Sequence, residues 1–267
     1  MQDSHHENQL VAEEAASNPL LAFLDRMERK PDVIARRRRS YELLRAERGS
    51  SVADIGCGAG TAIFELAELV SPGGSVFGVD INESLINVAR ARAARRGIHA
   101  TMQVGDAESL PYADGSLHGY RAERLYQHLR QPEPALKEAH RVLAPGGRIV
   151  LVDQDWDSVL LDSNDLATTR SIARATAGGI ANGAVGRQYH RLLKDAGFSN
   201  VHVVADTHVC TSYDEYGFFP ELWAQLAEAM GLLTLEAANA WLSDQKTRGA
   251  NGRFFLAMTH FLAVGHR

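Results

Sequence analysis

A ten-residue stretch, Val52 to Thr61, carries the clearest chemical signal in the chain. Gly56, Gly58 and Gly60 stand at alternate positions behind a short apolar run that contains Asp54. Glycine is needed where the backbone turns sharply or lies against a ligand, because it has no Cβ. A helix that begins at the end of this stretch would also direct backbone N–H groups toward the same place. The pattern therefore predicts a cradle for a bound nucleoside.

The spacing of the glycines distinguishes two kinds of nucleoside ligand. A dinucleotide fingerprint, GxGxxG, has Gly or Ala at its sixth place, and that place is Thr61 here. The third glycine comes one residue early, and Asp54 stands two residues before the first. A carboxylate does not favour a pyrophosphate, but it attracts the ammonium and sulfonium cations of S-adenosylmethionine. The acid therefore favours S-adenosylmethionine over a nicotinamide dinucleotide.

A sheet must position these residues, and the sequence alternates between strand and helix patterns. Strands are predicted at 52–55, 75–80, 99–104, 116–122 and 148–153, and helices at 61–70, 83–96 and 133–143. This alternation implies an α/β fold with a mainly parallel sheet and helices on both faces. Ligands of such sheets bind at the carboxyl ends of the strands. Asp80 ends the second predicted strand and Asp106 follows the third, so both are expected at that edge.

The remaining chain predicts one domain over 19–267 behind a flexible tail at 1–18. Two helices are expected over 19–48, broken at Pro31, and two closing strands at 201–209 and 254–264. Insertions at 156–186 and 212–250 are rich in apolar and aromatic residues, which favours a helical lid over a pocket. They are also compatible with simple packing or a dimer face, so a homodimer stays open.

Composition narrows the class of protein. The net charge is −5, and no basic stripe is present that would indicate nucleic acid as a partner. The two cysteines, Cys57 and Cys210, are far apart and predict neither a disulfide framework nor a zinc site. His5 and His6 are expected to be solvated tail residues, so no metal is predicted. No apolar run is long enough for a membrane span, and we expect a cytoplasmic protein.

Four stretches in succession resemble the motifs of one enzyme family. They are Asp54–Gly60, Gly78–Asp80, Gly105–Ala107 and Arg141–Arg148. In this order and spacing, over about residues 45–155, they resemble class I S-adenosylmethionine-dependent methyltransferases, in the small-molecule branch similar to the ubiquinone and menaquinone enzymes (methyltransferase type 11). The resemblance implies S-adenosyl-L-methionine as cofactor, S-adenosyl-L-homocysteine as product, and a Rossmann-like sheet of seven strands with the last antiparallel.

The resemblance also implies which residues hold the methionine part of the donor. The backbone around Gly56, Cys57 and Gly58 would line it, with Asp54 near its amino group. Glu123, just past the fourth strand, would touch the same ammonium. The alternatives are that Asp54 caps a turn and that Cys57 is a small packing residue without nucleophilic function.

The nucleoside part is assigned by the same resemblance to the ends of the second and third strands. Asp80 would accept both ribose hydroxyls, and Ile81 would pack on the adenine. Asp106 would accept the adenine N6 amine, with the Ala107 amide at a ring nitrogen. In the alternative reading, Asp106 caps a turn and Ile81 belongs to the core.

The acceptor side has weaker signals. Transfer from a sulfonium needs alignment, exclusion of water and, for some acceptors, a base. His128 and Asp155 are the predicted catalytic residues, since both follow strand ends. Tyr41, Tyr126 and Trp156 are predicted to contact the substrate. His128 has an alternative as a packed or solvated helix residue, and Asp155 and Trp156 could equally be structural.

Together these features predict transfer of a methyl group to an O, N or C nucleophile of a small, partly hydrophobic molecule, in a secondary-metabolism setting. Two other functions stay open. One is a nicotinamide-dependent oxidoreductase, and the other is a protein or cyclase that binds S-adenosylmethionine without methyl transfer.

Overall fold

The structure is a computed structural model that describes residues 18–267. The predicted tail, apart from Asn18, lies outside these residues, as do His5 and His6. The chain divides into two compact units. The first holds residues 18–122, Pro134–Val150 and Val264–Arg267, and the second holds Glu123–Glu133 and Leu151–Ala263.

Up to residue 154, two helices come first, and strands and helices then alternate, except that two strands follow one another at residues 101–123. The elements are α1 (Pro19–Glu28), α2 (Pro31–Leu44), β1 (Ser51–Ile55), α3 (Thr61–Val70), β2 (Ser75–Asp80), α4 (Glu83–Arg95), β3 (Thr101–Val104), β4 (Leu117–Glu123), α5 (Glu133–Val142) and β5 (Leu143–Gln154). Local sequence explains several helix starts. Asn18 and Asn82 each accept a hydrogen bond from the backbone N–H three residues later. Pro19 and Pro31 occupy first-turn positions, where the missing N–H costs nothing.

In the first unit the strand order is β3-β2-β1-β4-β5. The pairs β1–β2, β2–β3 and β1–β4 are parallel, with Asp54 opposite Gly78 on one side and Arg121 on the other. The β-branched residues of β1 and β2 are buried in the core, namely Val52, Ile55, Val76 and Val79. The carboxyl ends of β1, β2 and β3 therefore meet at one edge of the sheet.

The second unit contains the later strands and most of the later helices. Its further elements are β6 (Leu160–Leu161), α6 (Leu166–Gly179), α7 (Val185–Asp195), β7 (Ser199–Cys210), α8 (Tyr213–Tyr216), α9 (Phe218–Ala229), α10 (Leu235–Ala250), β8 (Leu256–His266) and two 3₁₀ turns, Tyr126–His128 and Trp156–Ser158. The strand β8 lies between β5 on one side and β6 on the other, and β7 also pairs with β8. The β6–β8 pair is antiparallel, with Leu161 opposite Leu256.

The predicted fold class is confirmed: the sheet is mostly parallel with antiparallel strands, and helices surround it. Within residues 18–267 the sheet has eight strands against the predicted seven, because β6 is only two residues long, too short to leave a period in the sequence. The predicted insertions at 156–186 and 212–250 both fall in the second unit. Their function as a lid and the single-domain interpretation stay predictions. Across residues 18–267, none of the helices combines the length and the apolar character that crossing a membrane requires.

Candidate functional site

The glycine loop after β1 has the backbone conformation that its sequence requires. Gly56, Gly58 and Gly60 have φ values of +74°, +53° and +87°, a region that other residues rarely adopt. The amides of Gly56 and Cys57 both donate to the carbonyl of Val79, at 2.7 and 3.1 Å. The loop is thereby fixed to the end of β2.

Asp80 is held at this loop by backbone donors. Its Oδ2 accepts from the Gly58 amide at 2.8 Å, and its Oδ1 accepts from the Asn82 amide at 2.9 Å. A carboxylate oxygen has more than one acceptor position, so both oxygens keep capacity for a ligand. The next residue, Ile81, is 76% exposed. A fixed carboxylate beside an exposed apolar side chain is a suitable surface for a sugar and a base.

The segment after β3 lies next to Asp80. The Gly105 amide donates to the Asp80 carbonyl at 3.1 Å. Asp106 is exposed, and its Oδ1 accepts from the Glu108 amide at 3.0 Å, so it caps its own turn. Ala107 is buried. The first unit therefore brings Asp80, Ile81, Asp106 and Ala107 to the edge where the glycine loop lies.

Asp54 forms a buried ion pair that the sequence did not indicate. Its Oδ1 lies 2.6 Å from Nη1 of Arg121, whose Nε donates to Ser40 Oγ at 2.7 Å. The guanidinium also lies over the ring of Tyr41, 5.4 Å from its centroid. Asp54 and Arg121 are opposite each other on the adjacent strands β1 and β4. The sequence could have predicted the pair only if the adjacency of these two strands were known.

Tyr41 is buried, and its hydroxyl donates to Glu65 at 2.9 Å. Burial raises the pKa of the Tyr41 hydroxyl far above its ordinary value, so it stays protonated. The structure thus gives Tyr41 a packing role on Arg121 and Glu65 where the sequence predicted a substrate contact.

Cys57 lies in the glycine loop with its side chain buried. Burial raises the pKa of the thiol, and the nearby carboxylates of Asp54 and Asp80 raise it further. A Cβ on Gly78 would come within 2.9 Å of the sulfur, which shows how closely the two segments pack. A protonated, buried thiol is a poor nucleophile, and the small-residue interpretation of Cys57 fits this environment.

In the second unit, a hydrogen-bond relay orients His128. The Trp156 indole donates to Oε1 of Gln127 at 2.8 Å, and Nε2 of Gln127 lies 3.2 Å from Nε2 of His128. An indole N–H is only a donor, so it fixes the Gln127 amide, whose NH₂ group then faces the imidazole. This network assigns the proton of neutral His128 to Nδ1. Burial, and then the charge of Arg124, lower the pKa of His128, which favours the neutral form.

Asp155 and Tyr126 are positioned differently from their predictions. Both oxygens of the buried Asp155 carboxylate accept from the guanidinium of Arg187, and Oδ1 also caps Asp157. Arg187 therefore contacts both carboxylate oxygens, and catalysis by Asp155 would require the pair to open. Tyr126 is fully buried and packs edge-on against Tyr189 at 6.1 Å, which leaves no surface for a substrate.

Asp153 is a buried acid that sequence reasoning passed over. The Tyr189 hydroxyl donates to its Oδ2, and burial raises the pKa of Asp153 to about 7. The residue ends the apolar run of β5 and gave no separate signal. Glu123 ends β4 in the second unit and is half-buried. Among residues 18–267, no group of three or more His, Cys, Asp or Glu is arranged to hold a metal.

A mostly parallel sheet with a glycine loop and acids at adjacent strand ends defines an α/β protein of the Rossmann-like class. A family model described as a methyltransferase domain matches residues 46–197. The match covers more than half of the chain, so the protein belongs to this family, the class I S-adenosylmethionine-dependent methyltransferases.

Two relatives and one solved structure illustrate the similarity. The chain is 38% identical over 226 residues to an uncharacterized 37.1 kDa protein in transposon Tn4556 of Streptomyces fradiae, across 84% of this chain and 64% of that protein. It is 29% identical over 128 residues to a demethylmenaquinone methyltransferase of Anoxybacillus flavithermus, across 48% of this chain and 54% of that enzyme. The chain therefore spans less than two thirds of either relative.

The solved structure is a phosphoethanolamine N-methyltransferase 2 of Haemonchus contortus, in complex with phosphomonomethylethanolamine and S-adenosylhomocysteine. The TM-score is 0.54 at 16% identity, covering 85% of this chain and 52% of that chain. At this identity the similarity establishes a shared fold.

Proposed function

We propose that the protein transfers the methyl group of S-adenosylmethionine to an O, N or C nucleophile of a small, partly hydrophobic molecule, with a place in secondary metabolism. The observation that carries the proposal is the Asp80 carboxylate, held by the Gly58 amide 2.8 Å away and followed by the 76% exposed Ile81. This arrangement suits the ribose and adenine of a nucleoside. Membership of the family indicates that the nucleoside is S-adenosylmethionine.

The donor set follows from that anchor. Asp80 accepts both ribose hydroxyls and Ile81 packs on the adenine. Asp106 accepts the adenine amine, with the Ala107 amide at a ring nitrogen. All four lie at the carboxyl ends of β2 and β3, where sheets of this class bind their ligands.

The methionine part is proposed to lie on the backbone of Gly56, Cys57 and Gly58. Left-handed glycines let the chain approach a ligand closely, and the buried thiol of Cys57 adds no reactive group. Glu123 is proposed to attract its ammonium, and Asp54 is proposed to lie near the amino group while it remains paired with Arg121.

When bound, the donor supplies an already activated methyl group, so the protein mainly aligns the acceptor and removes a proton where one must leave. We assign that proton to His128. Its neutral imidazole presents the Nε2 lone pair toward Gln127 at 3.2 Å, a distance from which an acceptor hydroxyl can displace the amide. Trp156 positions the relay through Gln127, and its ring is proposed to contact the substrate.

A transfer assay tests this function. The protein is incubated with S-[methyl-¹⁴C]adenosylmethionine and a panel of hydroxylated naphthoquinols, phenols and alkylamines, chosen because one relative is a demethylmenaquinone methyltransferase. We expect label in an extractable product and an equal amount of S-adenosylhomocysteine. His128→Ala should lower kcat by about 10²- to 10⁴-fold for an acceptor that must lose a proton.

The matched control is His190→Ala, since His190 is an exposed histidine on α7 of the same unit. Equal losses in both variants would remove His128 from the mechanism. Binding of the donor without transfer to any acceptor would favour a cyclase or binding protein. Reduction or oxidation of a nicotinamide cofactor would favour the oxidoreductase.

A further inference from the structure

The second unit contains a cavity of about 460 Å³. The cavity is lined by the segment from the 3₁₀ turn Trp156–Ser158 to β6, by one face of α6, and by single residues from the later part of the unit. The lining residues are Asp157, Val159, Leu160, Leu161, Asp162, Leu166, Thr169, Arg170, Ala173, Arg174, Trp223, Trp241 and Phe255. The volume lies within the ~300–1,000 Å³ of typical small-molecule sites.

Most of the cavity wall is apolar. Leu160 and Leu166 are 62% and 48% exposed, so large aliphatic side chains stand open at this site. Deeper in the unit, Trp223 and Trp241 are buried. The Trp241 indole donates to Thr169 Oγ1 at 2.9 Å, which satisfies both polar groups without water. A wall of this kind favours an apolar ligand body.

Two arginines give the cavity its polarity. Arg170 and Arg174 lie one helical turn apart on α6, on the face that lines the cavity, and both are exposed. Like charges at this spacing destabilise a helix by ~0.2–0.5 kcal/mol. Within residues 18–267, neither side chain forms a hydrogen bond or an ion pair. The repulsion therefore has no structural compensation in the part of the chain that is described.

The acids of the cavity are already engaged elsewhere. Asp162 pairs with Arg248 at 2.5 Å. Asp157 lies 3.5 Å from Nη1 of Arg187, which also holds Asp155. The cations free to meet a ligand here are thus the two arginines of α6, and guanidinium groups pair well with carboxylates, sulfonates and phosphates.

We propose that this cavity binds an amphipathic organic anion, with its apolar body against Leu160, Leu166 and Trp241 and its acidic group between Arg170 and Arg174. The site lies outside the proposed donor set, since none of its lining residues belongs to that set. Its ligand binding does not depend on methyl transfer, so it can be tested separately from the proposed function.

The test uses two fluorescent probes of nearly equal shape and different charge. 8-Anilinonaphthalene-1-sulfonate carries a sulfonate, and N-phenyl-1-naphthylamine is its neutral counterpart. We expect saturable, one-to-one binding of the sulfonate to the full chain, with displacement by decanoate at lower concentration than by decanol. Arg170→Gln with Arg174→Gln should weaken sulfonate binding by about tenfold or more and leave the neutral probe unchanged.

Both arginines are exposed, so the double variant is expected to fold, which a melting curve checks. Arg130→Gln, another exposed arginine of the second unit, is the charge-matched control. Ala173→Trp fills the cavity and should weaken the binding of both probes. The proposal is overturned if the double variant binds the sulfonate as tightly as the parent protein, or if filling the cavity leaves both affinities unchanged.

Discussion

The carboxylate of Asp54 is engaged by a contact that changes the function expected from its charge. Its charge suggested a cation in the site, but the buried pair with Arg121 at 2.6 Å carries no net charge. The glycine spacing and the membership of the family are then the features that distinguish this site from a dinucleotide site. Arg121 links Asp54 to Ser40 and to the ring of Tyr41, so the pair also joins β1 and β4 to α2.

Removing one partner of this pair should destabilise the fold. Asp54→Ala leaves the Arg121 guanidinium buried without its acid, a change that costs about 3–5 kcal/mol of unfolding free energy. Urea unfolding measures it. The double variant Asp54→Ala with Arg121→Leu should recover part of the loss, because the stranded charge is gone. A single variant as stable as the parent would mean that the pair has no structural role.

Asp153 predicts a pH dependence of stability. Its pKa is about 7 in the folded protein against an ordinary value of 3.8, so the folded state holds the proton more tightly. Between about pH 4 and pH 7 the unfolded chain binds fewer protons, and stability should fall as the pH rises and then level off. Asp153→Asn should flatten this slope in thermal unfolding measured across that range. Asp214→Asn, at an exposed acid, should leave the slope as it is; an unchanged slope in Asp153→Asn would contradict the assignment.

The sequence predicted the backbone setting of a residue where that setting depends on local pattern. Gly56, Gly58 and Asp80 fall at a turn and a strand end that the local pattern already specifies. Partners distant in sequence were missed, because Arg121 reaches Asp54 and Arg187 reaches Asp155 only through strand adjacency and helix packing. Tyr126, which the sequence predicted to contact the substrate, is fully buried, and its packing partner Tyr189 is also distant in sequence.

The helix α1 packs on the glycine loop. Leu21 packs with Ala59 and Leu85, and Leu24 adds to the same cluster. Asp25 fixes the helix to α4 through two hydrogen bonds to Arg92, at 2.8 and 2.7 Å. The helix thus covers the loop proposed to hold the methionine part of the donor.

Loss of this ion pair should loosen α1 selectively. Asp25→Asn removes the charge that holds Arg92, and we expect a local cost of about 3 kcal/mol, at the low end for buried pairs because Asp25 is partly exposed. Hydrogen exchange of the α1 amides should become faster while that of the β1 amides stays slow. Arg29→Gln, at the exposed residue that follows the helix, is the control. Unchanged exchange in α1 would show that the leucine contacts alone hold it.

Element boundaries up to β4 could be predicted closely, since α3 and β2 coincide with their predicted ranges. Glycine and proline mark those ends, and apolar periodicity marks the interiors. β5 begins five residues earlier than predicted. Its first part, Ala144 to Gly147, carries glycines typical of a loop, so the sequence did not indicate a strand there. The 3₁₀ turn at Tyr126–His128 and the strand β6 are too short for any period to indicate them.

For the whole molecule, the first unit contains the proposed donor residues except Glu123, and the second contains the anion cavity and the His128 relay. The fold and the family follow from the ordered motifs of the first unit. The acceptor side depends on packing among helices α6 to α10, where apolar sequence predicts burial but not which faces line a cavity.

The most direct measurement is calorimetric titration of the protein with S-adenosylmethionine and, separately, with NADH. One-to-one binding of S-adenosylmethionine is expected, with no measurable heat from NADH. Asp80→Ala should weaken the binding of S-adenosylmethionine by about tenfold or more, because it removes two hydrogen bonds to a charged acceptor. The control Glu68→Gln, at an exposed acid of α3, should bind S-adenosylmethionine as the parent protein does. Tight binding of NADH alone, or an Asp80→Ala variant that binds S-adenosylmethionine as tightly as the parent protein, would contradict the proposed donor site.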